Sequence, residues 1–360
     1  MQVSPVQVFK IMRGKNGVMC IMKRTIAVLI MLVLSGCLWA VSPLSAQPAD
    51  EGEKAAGEAA GDKGLSVEGK GKSASPMPQE DETHKKVLRY TLLFAAPTVT
   101  ILYGAKAWDW GDNEKFRWGN EGWYGYNTCS GGADKTGHAY SHYIVQRWSY
   151  AIFDYTENGR ATKWWYSIFT SAFIGTLIEV GDGFTGRYGF SKEDLIADYS
   201  GIALGVIMDR FPTFNAFVGF SGEYKPTNGF KRYPTNKTWL NFTGDYSGWK
   251  WMFNFKLAGF RYVGVKIPEF MRYIMLDVGY YTRNYTSYDN YVGNWEKRRE
   301  WFYGVSVNMR EVVKDLFTDQ NSRLCWVAQQ PFEYYHVPLG WKSAHAIDKN
   351  KEADYSEKSI

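Results

Sequence analysis

The stretch Ile174–Arg210, with the sequence IGTLIEVGDGFTGRYGFSKEDLIADYSGIALGVIMDR, decides the fold expected for this chain. An apolar helical pattern runs up to Glu179, and a turn rich in glycine follows it. A second helix is predicted to begin after Ser191, because Ser191 with Asp194 three residues on has the pattern of a capping box. Carboxylates at a corner between two helices are costly unless they are solvated, hydrogen-bonded or bound to a ligand. We therefore take this polar helix–turn–helix corner as the candidate site.

A second group of polar residues precedes the corner. Asp134 resembles an acid in the first turn of a helix that continues to Phe153. His138 and His142 are four residues apart in this helix, and hence on one face of it. Together with the corner they predict a polar network, whose expected members are Asp134, His138, His142, Glu179, Asp182, Arg187, Asp194 and Asp198.

Two interpretations of this network differ in chemistry. Two histidines with several carboxylates suit a divalent metal, and the candidate ligands are His138, His142, Glu179 and Asp182. The candidate catalytic residues of a metal-assisted or acid–base site are His138, Glu179, Asp182 and Asp198. The alternative explains each residue locally, by helix starts, by an Asp-Gly turn, and by a buried hydrogen bond from His138 to Glu179 or Asp198. We predict a structural or ligand-binding network without a cofactor, and keep a divalent metal as the alternative.

The periodicity changes to two after Pro212. Trp249–Leu257, Tyr273–Tyr281 and Trp301–Met309 alternate apolar with other residues, which predicts half-buried antiparallel strands. Gly244–Gly248 is predicted to be the turn that joins the first of them to a strand at Trp239–Phe242. The fold class is therefore α+β: a helical core (residues 88–220) followed by a small antiparallel β meander in a strand-rich region (221–342) that packs on it. The charged tail, residues 343–360, is expected to fray.

Two apolar segments lie within the predicted helical core. Leu92–Ala105 contains Pro97, and Lys163–Ile178 begins with aromatic residues. Both are shorter than the roughly 20 residues that a helix needs to cross a bilayer. They either form a buried core or lie partly in a membrane with Trp164, Trp165 and Tyr166 at its interface.

The first 36 residues have the pattern of a signal peptide. Met22-Lys23-Arg24 is a basic segment, and Thr25–Leu34 is an apolar segment of the length that export requires. Leu34-Ser35-Gly36-Cys37 resembles the bacterial lipobox, which predicts an acylated Cys37 that anchors the chain to membrane lipid; Leu38 is compatible with sorting to the outer membrane. The alternative is ordinary cleavage before Gln47 and a soluble periplasmic protein. Residues 37–87 are poor in large apolar residues and are predicted to be a disordered tether.

The net charge and the cysteine content limit which partners and which covalent links the protein can have. The net charge of +5 comes from basic residues of the leader, so the mature chain is neutral and nucleic-acid binding is not expected. After processing, Cys129 and Cys325 are the two cysteines that remain. In an oxidising compartment they either form a disulfide or stay as separate buried thiols.

The polar residues also match a family pattern. The ordered run Asp134-Lys-x-x-His138, Glu179-x-x-Asp182, Arg187, Ser191-x-x-Asp194-x-x-Ala197-Asp198-x-x-Gly201-x-x-x-Gly205 resembles the YfiM-like predicted periplasmic lipoproteins. More distantly, it is similar to the VanZ-like proteins, from which it departs at Asp182 and Asp198. The resemblance implies an envelope protein with a helical core and supplies no established reaction.

Two function classes follow from these observations. We expect a non-catalytic binding or structural module at the membrane, whose partner is an envelope lipid, glycan or protein contacted through aromatic side chains. The alternative is a metal-dependent hydrolase that acts on an envelope lipid or glycan through the His/Glu/Asp cluster.

Overall fold

The structure is a computed structural model that describes residues 79–112, 115–156, 159–186, 188–227, 242–285 and 296–348. The predicted signal peptide, Cys37, most of the tether, Arg187 and the end of the tail lie outside these residues. In chain order the helices before the sheet are α1 (Gln79–Tyr90), α2 (Ala96–Ala107), α3 (Ala133–Thr156), α4 (Arg160–Asp182), α5 (Lys192–Arg210) and α6 (Pro212–Phe217).

The sheet follows, with short helices between its strands. Its elements in chain order are β1 (Val218–Tyr224), β2 (Trp249–Lys256), α7 (Gly259–Tyr262), β3 (Ile274–Arg283), β4 (Arg298–Val307), α8 (Met309–Asp315), α9 (Arg323–Gln329), α10 (Pro331–Tyr334) and β5 (Gly340–Ala346). The strands pair in sequence order, each antiparallel to the next. The predicted α+β class, with the helices first and the meander second, is confirmed.

Helices α3 and α5 pack closely because α5 has glycines where the two meet. A Cβ atom on Gly201 would lie 2.0 Å from the backbone oxygen of Ala139, and one on Gly205 would lie 2.3 Å from Gln146 Oε1. This close packing brings Asp194 and Asp198 of α5 against His138 of α3. The Gly201-x-x-x-Gly205 spacing is therefore a helix-packing feature that positions the polar site.

The helical half and the sheet share a core and an ionic cluster. The aromatic rings of Tyr140 and Tyr143 on α3 contact Phe220 on β1. Near them, Arg147 donates hydrogen bonds to Asp209 on α5 and to Glu333 on α10, each over 2.9 Å. The helices and the segment after the fourth strand are thus held by one buried network.

The sheet has a polar inner face. Ser221 Oγ donates to Asn254 Oδ1 over 2.6 Å, and Asn254 Nδ2 donates to Asp277 Oδ1 over 2.7 Å, so three adjacent strands are linked by buried hydrogen bonds. Lys256 on the same face lies 3.7 Å from Glu333. These polar groups are buried because the chain that contains α10 lies against this side of the sheet.

The opposite side of the sheet is apolar, and most of it is exposed. Near Phe220 and Trp251 it packs in the core with α3, while Val278 is 58% exposed and Trp341 is 60% exposed. The period of two is confirmed, but beyond Trp251 the buried positions are those of the inner face, where the polar residues lie together with Met252, Met275 and Phe302. We call the exposed residues of this side the outer face: Phe253, Phe255, Leu276, Val278, Trp301, Tyr303, Val305 and Trp341.

Several predicted boundaries are wrong. The first hairpin pairs β2 with β1 instead of with Trp239–Phe242, and Gly244–Gly248 contributes to short 3-10 turns before β2. The predicted helical core extends too far, to residue 220. The helix that begins at Pro212 has six residues, and strand β1 begins directly after it at residue 218. Residues 343–346 are not frayed, because β5 pairs them with β4. At the other end, helix already covers residues 79–87 of the predicted tether.

The disulfide between Cys129 and Cys325, one of the two alternatives that the sequence left open, is not present in the structure. Both cysteines are free thiols; Cys129 is exposed in the 3-10 turn before α3, and Cys325 is buried on α9. The Cys325 thiol accepts a hydrogen bond from Gln329 Nε2 over 3.1 Å, so it is satisfied within its own helix. The alternative of two separate thiols is correct, except that one of them is exposed.

The two apolar segments form longer helices than expected. Thr83–Ala107 is a continuous helical stretch of 25 residues that contains an 18-residue window with a mean hydropathy of 1.3, so it is long and apolar enough to cross a membrane by length and composition. A π-helical turn at Thr91–Ala95 precedes Pro97, which lies in the first turn of α2. Neither segment is wholly a buried core, since each presents exposed apolar residues, which are Val87, Phe94 and Ile101 in the first, and Trp165, Phe169 and Phe173 in α4.

Candidate functional site

The corner is built by the end of α4 and the start of α5. Ser191 caps α5, its hydroxyl accepting a hydrogen bond from the Asp194 backbone N–H over 3.2 Å. Glu179, in the last turn of α4, reaches across the turn, and its Oε2 accepts from the Ser191 backbone N–H over 3.0 Å. The predicted cap by Ser191 is confirmed, but the Ser191 backbone N–H bonds Glu179 and not Asp194, so the predicted capping box is only half formed.

The Gly-rich turn makes room for an aromatic side chain. A Cβ atom on Gly181 would lie 2.3 Å from the indole of Trp110, and one on Gly104 would lie 2.4 Å from the same ring. The indole Nε1 of Trp110 donates to Asp182 Oδ1 over 2.6 Å. Asp182 is therefore directed at the loop after α2, and it interacts with His138 electrostatically.

His138 is the centre of the site. Its Nδ1 is 2.9 Å from Asp198 Oδ1, and Glu179 Oε1 is 3.8 Å from the same nitrogen. Its Nε2 is 3.9 Å from Asp194 Oδ1. The sequence left Glu179 and Asp198 as alternative hydrogen-bond partners of His138, and the structure identifies Asp198 as the partner.

His142 lies on the same face of α3, one turn later and deeper. Its Nδ1 is 3.2 Å from Ser171 Oγ on α4, and its Nε2 is 3.4 Å from Asp198 Oδ1. Burial lowers the pKa of His142, although Asp198 opposes the shift. His142 is thus a neutral residue that joins three helices beneath the site.

Lys135 and Glu121 are site residues that the sequence analysis did not single out. The Lys135 ammonium is 2.7 Å from Asp134, 2.7 Å from Glu121 and 2.8 Å from Asp194. Lys135 belongs to the Asp-Lys-x-x-His run, so the motif itself contained the signal. Glu121 comes from the irregular Trp- and Gly-rich segment before α3, where no periodicity points to it.

Burial and crowded charge shift the pKa values of the site. Burial raises the pKa of Glu179 to about 9 and that of Asp182 to about 6, because few cations offset the cost of charge there. Burial opposes a charge on His138, but Asp198, Asp194 and Glu179 together raise its pKa well above 6.5. For Asp194 burial is outweighed by His138 and Lys135, so its pKa is lowered. Glu179 and His138 therefore both favour their protonated forms at neutral pH, and a metal ion that binds them must displace these protons.

The structure brings most of the predicted network together, with Arg187 outside the described residues. Asp134, His138, His142, Glu179, Asp194 and Asp198 lie in one cluster between α3, α4 and α5. Of the four candidate metal ligands, His138 and Glu179 meet in a group whose third member is Asp194, and His142 and Asp182 are not in that group.

The comparisons with known proteins cover this same region. Searches of curated proteins and of solved structures gave no match. Residues 120–210, which run from the loop containing Glu121 through the end of α5, match one family model. The polar site and the helices that build it therefore match the family described as Predicted periplasmic lipoprotein (DUF2279), which indicates an exported envelope protein.

Proposed function

We propose that this protein is a non-catalytic module of the cell envelope that lies on the membrane through the outer face of its sheet. The acyl group on Cys37 is the covalent part of the attachment, on the periplasmic side of the outer membrane. The observation that carries the proposal is the inverted sheet, with buried polar residues and an exposed apolar side.

In water, a two-sided sheet normally buries its apolar side and exposes its polar side. Here Asn254 and Asp277 are 4% and 1% exposed, while Phe253 and Val278 on neighbouring positions are 49% and 58% exposed. Large exposed apolar patches mark interaction sites, and an apolar outside with a polar inside is the arrangement of strands that face lipid. The outer face is therefore suited to a hydrocarbon environment.

A lipid surface fits better than a protein partner because the exposed apolar residues occur on several elements. Val87, Phe94 and Ile101 recur every seven residues on the helix Thr83–Ala107, and Phe169 stacks on Phe173 along α4. The outer face also contains Trp301, Tyr303 and Trp341, aromatic residues of the kind that concentrate at membrane interfaces. Hydrocarbon chains can cover an apolar surface of any shape, whereas a protein partner would have to be complementary in shape to each of these surfaces.

Vesicle binding tests the proposal. The full chain with Cys37→Ala, which removes the acyl group, is mixed with vesicles of phosphatidylethanolamine and phosphatidylglycerol and separated by flotation. We expect it to float with the vesicles, and we expect Val278→Ser combined with Trp341→Ser to reduce the bound fraction at least tenfold. The matched control is Leu316→Ser with Leu324→Ser, two exposed leucines outside the outer face, which should leave binding unchanged.

The proposal fails if the Cys37→Ala chain stays in solution, or if both double variants lose binding equally. In cells, Cys37→Ala should also block lipid attachment, which mass spectrometry of the mature N-terminus measures. A mature chain that begins at Gln47 in the unsubstituted protein would overturn the acylation.

A second candidate is a metal-dependent hydrolase acting on an envelope lipid or glycan. It is favoured by the convergence of His138, Glu179 and Asp194 next to Asp198, a donor set that activates water in metal sites. Its test is hydrolysis of a soluble chromogenic ester and phosphate by the metal-loaded protein, compared with Glu179→Gln. Equal rates with both proteins would remove this candidate.

A further inference from the structure

We infer that His138, Glu179 and Asp194 form a binding site for one divalent cation of the Zn²⁺ or Mn²⁺ class. This goes beyond the proposed membrane module, because it concerns the helical half and does not depend on lipid.

The first support is the distance between the donor atoms. One nitrogen of His138 and one carboxylate oxygen from each of Glu179 and Asp194 all lie within 4.8 Å of one another. Two ligands of a tetrahedral ion with bonds of about 2.1 Å are about 3.4 Å apart. Asp194 Oδ1 lies 3.9 Å from His138 Nε2, which is close to this value, whereas Glu179 Oε1 lies 3.8 Å from the other ring nitrogen, Nδ1. An ion held between Nε2 and Asp194 therefore requires a small rotation of the Glu179 side chain.

The second support is an unpartnered donor. Glu179 is 1% exposed, and in the described part of the chain its Oε1 has no hydrogen-bond partner, while Oε2 accepts from Ser191. A buried carboxylate oxygen without a partner is costly, so such groups are normally paired or bound to a metal. This oxygen faces His138, which places the missing partner at the site itself.

The third support is the orientation of the imidazole. Asp198 accepts a hydrogen bond from His138 Nδ1, which leaves Nε2 for a metal on the side of Asp194. A carboxylate behind a ligating histidine fixes its tautomer and is the usual outer partner in metal sites. Gly175 allows Asp198 to lie there, since a Cβ atom at residue 175 would be 2.8 Å from Asp198 Oδ2.

The structure shows how a cation can reach the site and which side chain competes with it. The His138 side chain is 18% exposed, so a hydrated ion can reach it from solvent. Lys135 lies 2.8 Å from Asp194, which keeps that carboxylate in place and also competes with a cation. One imidazole nitrogen with two carboxylate oxygens suits borderline and hard cations, which is why Zn²⁺ and Mn²⁺ are the ions to test.

Equilibrium dialysis tests the site directly. The full chain without a polyhistidine tag is treated with a chelator, dialysed in the absence of lipid against Zn²⁺ or Mn²⁺, and its metal content is measured. We expect one equivalent per chain, and at least tenfold weaker binding by Glu179→Gln and by His138→Gln. Asp182→Asn is the control, and should bind within threefold of the unsubstituted chain because its carboxylate accepts from Trp110.

A folded protein that binds no metal, or a Glu179→Gln protein that binds as well as the original, overturns the inference. A measurement on the unsubstituted chain covers the case in which the variants do not fold. Mn²⁺ added to protein labelled with ¹⁵N at histidine should broaden the His138 signal, together with that of nearby His142, before that of His345. Broadening of His345 first would place the ion elsewhere. Because no lipid is present, this outcome is independent of the proposed function.

Discussion

The imidazole Nδ1 of His138 lies 2.9 Å from Asp198 Oδ1, while Glu179 Oε1 is 3.8 Å from the same nitrogen. Asp198 is therefore the hydrogen-bonded partner of His138, and Glu179 approaches the same nitrogen without a hydrogen bond to it. Asp198 also lies 3.4 Å from His142, so one carboxylate orients both histidines of α3. This arrangement predicts which substitutions at the site should destabilise the protein most.

Asp198→Asn should destabilise the protein more than Glu179→Gln does. Removing the carboxylate that pairs with buried His138 leaves a charge without its partner, a loss of about 3–5 kcal/mol in buried pairs. Glu179→Gln keeps the acceptor for the Ser191 N–H, so a cost of about 1–3 kcal/mol is expected. Urea unfolding of both variants without metal measures the difference. A larger loss with Glu179→Gln would show that Glu179 is the principal partner.

The stability effect of Asp182→Asn should depend on pH. Burial raises the pKa of Asp182 from 3.8 to about 6, so the folded protein prefers the protonated carboxyl. A raised acid pKa means that this group disfavours folding above pH 6 and that the penalty disappears only below about pH 3.5. Asn avoids the charge and keeps an acceptor for Trp110.

The variant should therefore be the more stable protein at pH 7.5, by at most about 3 kcal/mol, and equal to the original only below about pH 3.5. The free energy of unfolding at several pH values gives the difference between the two proteins, which removes the other titrating groups from the comparison. A difference that does not change with pH would mean that Asp182 is charged at no cost.

Gly201→Ala should disrupt the packing of α3 against α5. The added methyl group would lie 2.0 Å from the backbone oxygen of Ala139, and backbone cannot rotate away as a side chain can. Overpacking of this kind costs about 1–3 kcal/mol or more. Gly186→Ala is the matched control, because the nearest atom to its Cβ would be 3.7 Å away. Thermal unfolding of the two variants compares them, and equal melting temperatures would contradict the close contact.

The two thiols should differ in reactivity. Cys129 is exposed and Cys325 is buried with a partner in its own helix, so of these two thiols a thiol reagent should modify Cys129 alone in the folded protein and both after unfolding. Intact mass after alkylation counts the modified sites. An oxidised protein that is lighter by two hydrogen atoms and in which neither thiol reacts would show that the disulfide forms after all.

Local sequence pattern determined the elements of this fold. The cap at Ser191 and the alternation in β2 were correctly predicted, because capping and strand periodicity depend on neighbouring residues. The same holds for the placement of two histidines on one face of α3. These features need no knowledge of distant contacts.

Tertiary structure decided which residues meet and which side of the sheet is buried. Glu121 accepts a hydrogen bond from Lys135, which is 14 residues away in the sequence. Strand β2 pairs with β1 and not with the segment before Gly244. Both contacts depend on how distant segments of the chain pack. An alternating strand has two faces, and its sequence alone does not say whether the apolar face packs in the protein core or lies exposed on the outside. Only the packing of α10 against Asn254 and Lys256 shows that the polar side is inside, which leaves Val278 and Trp341 facing outward.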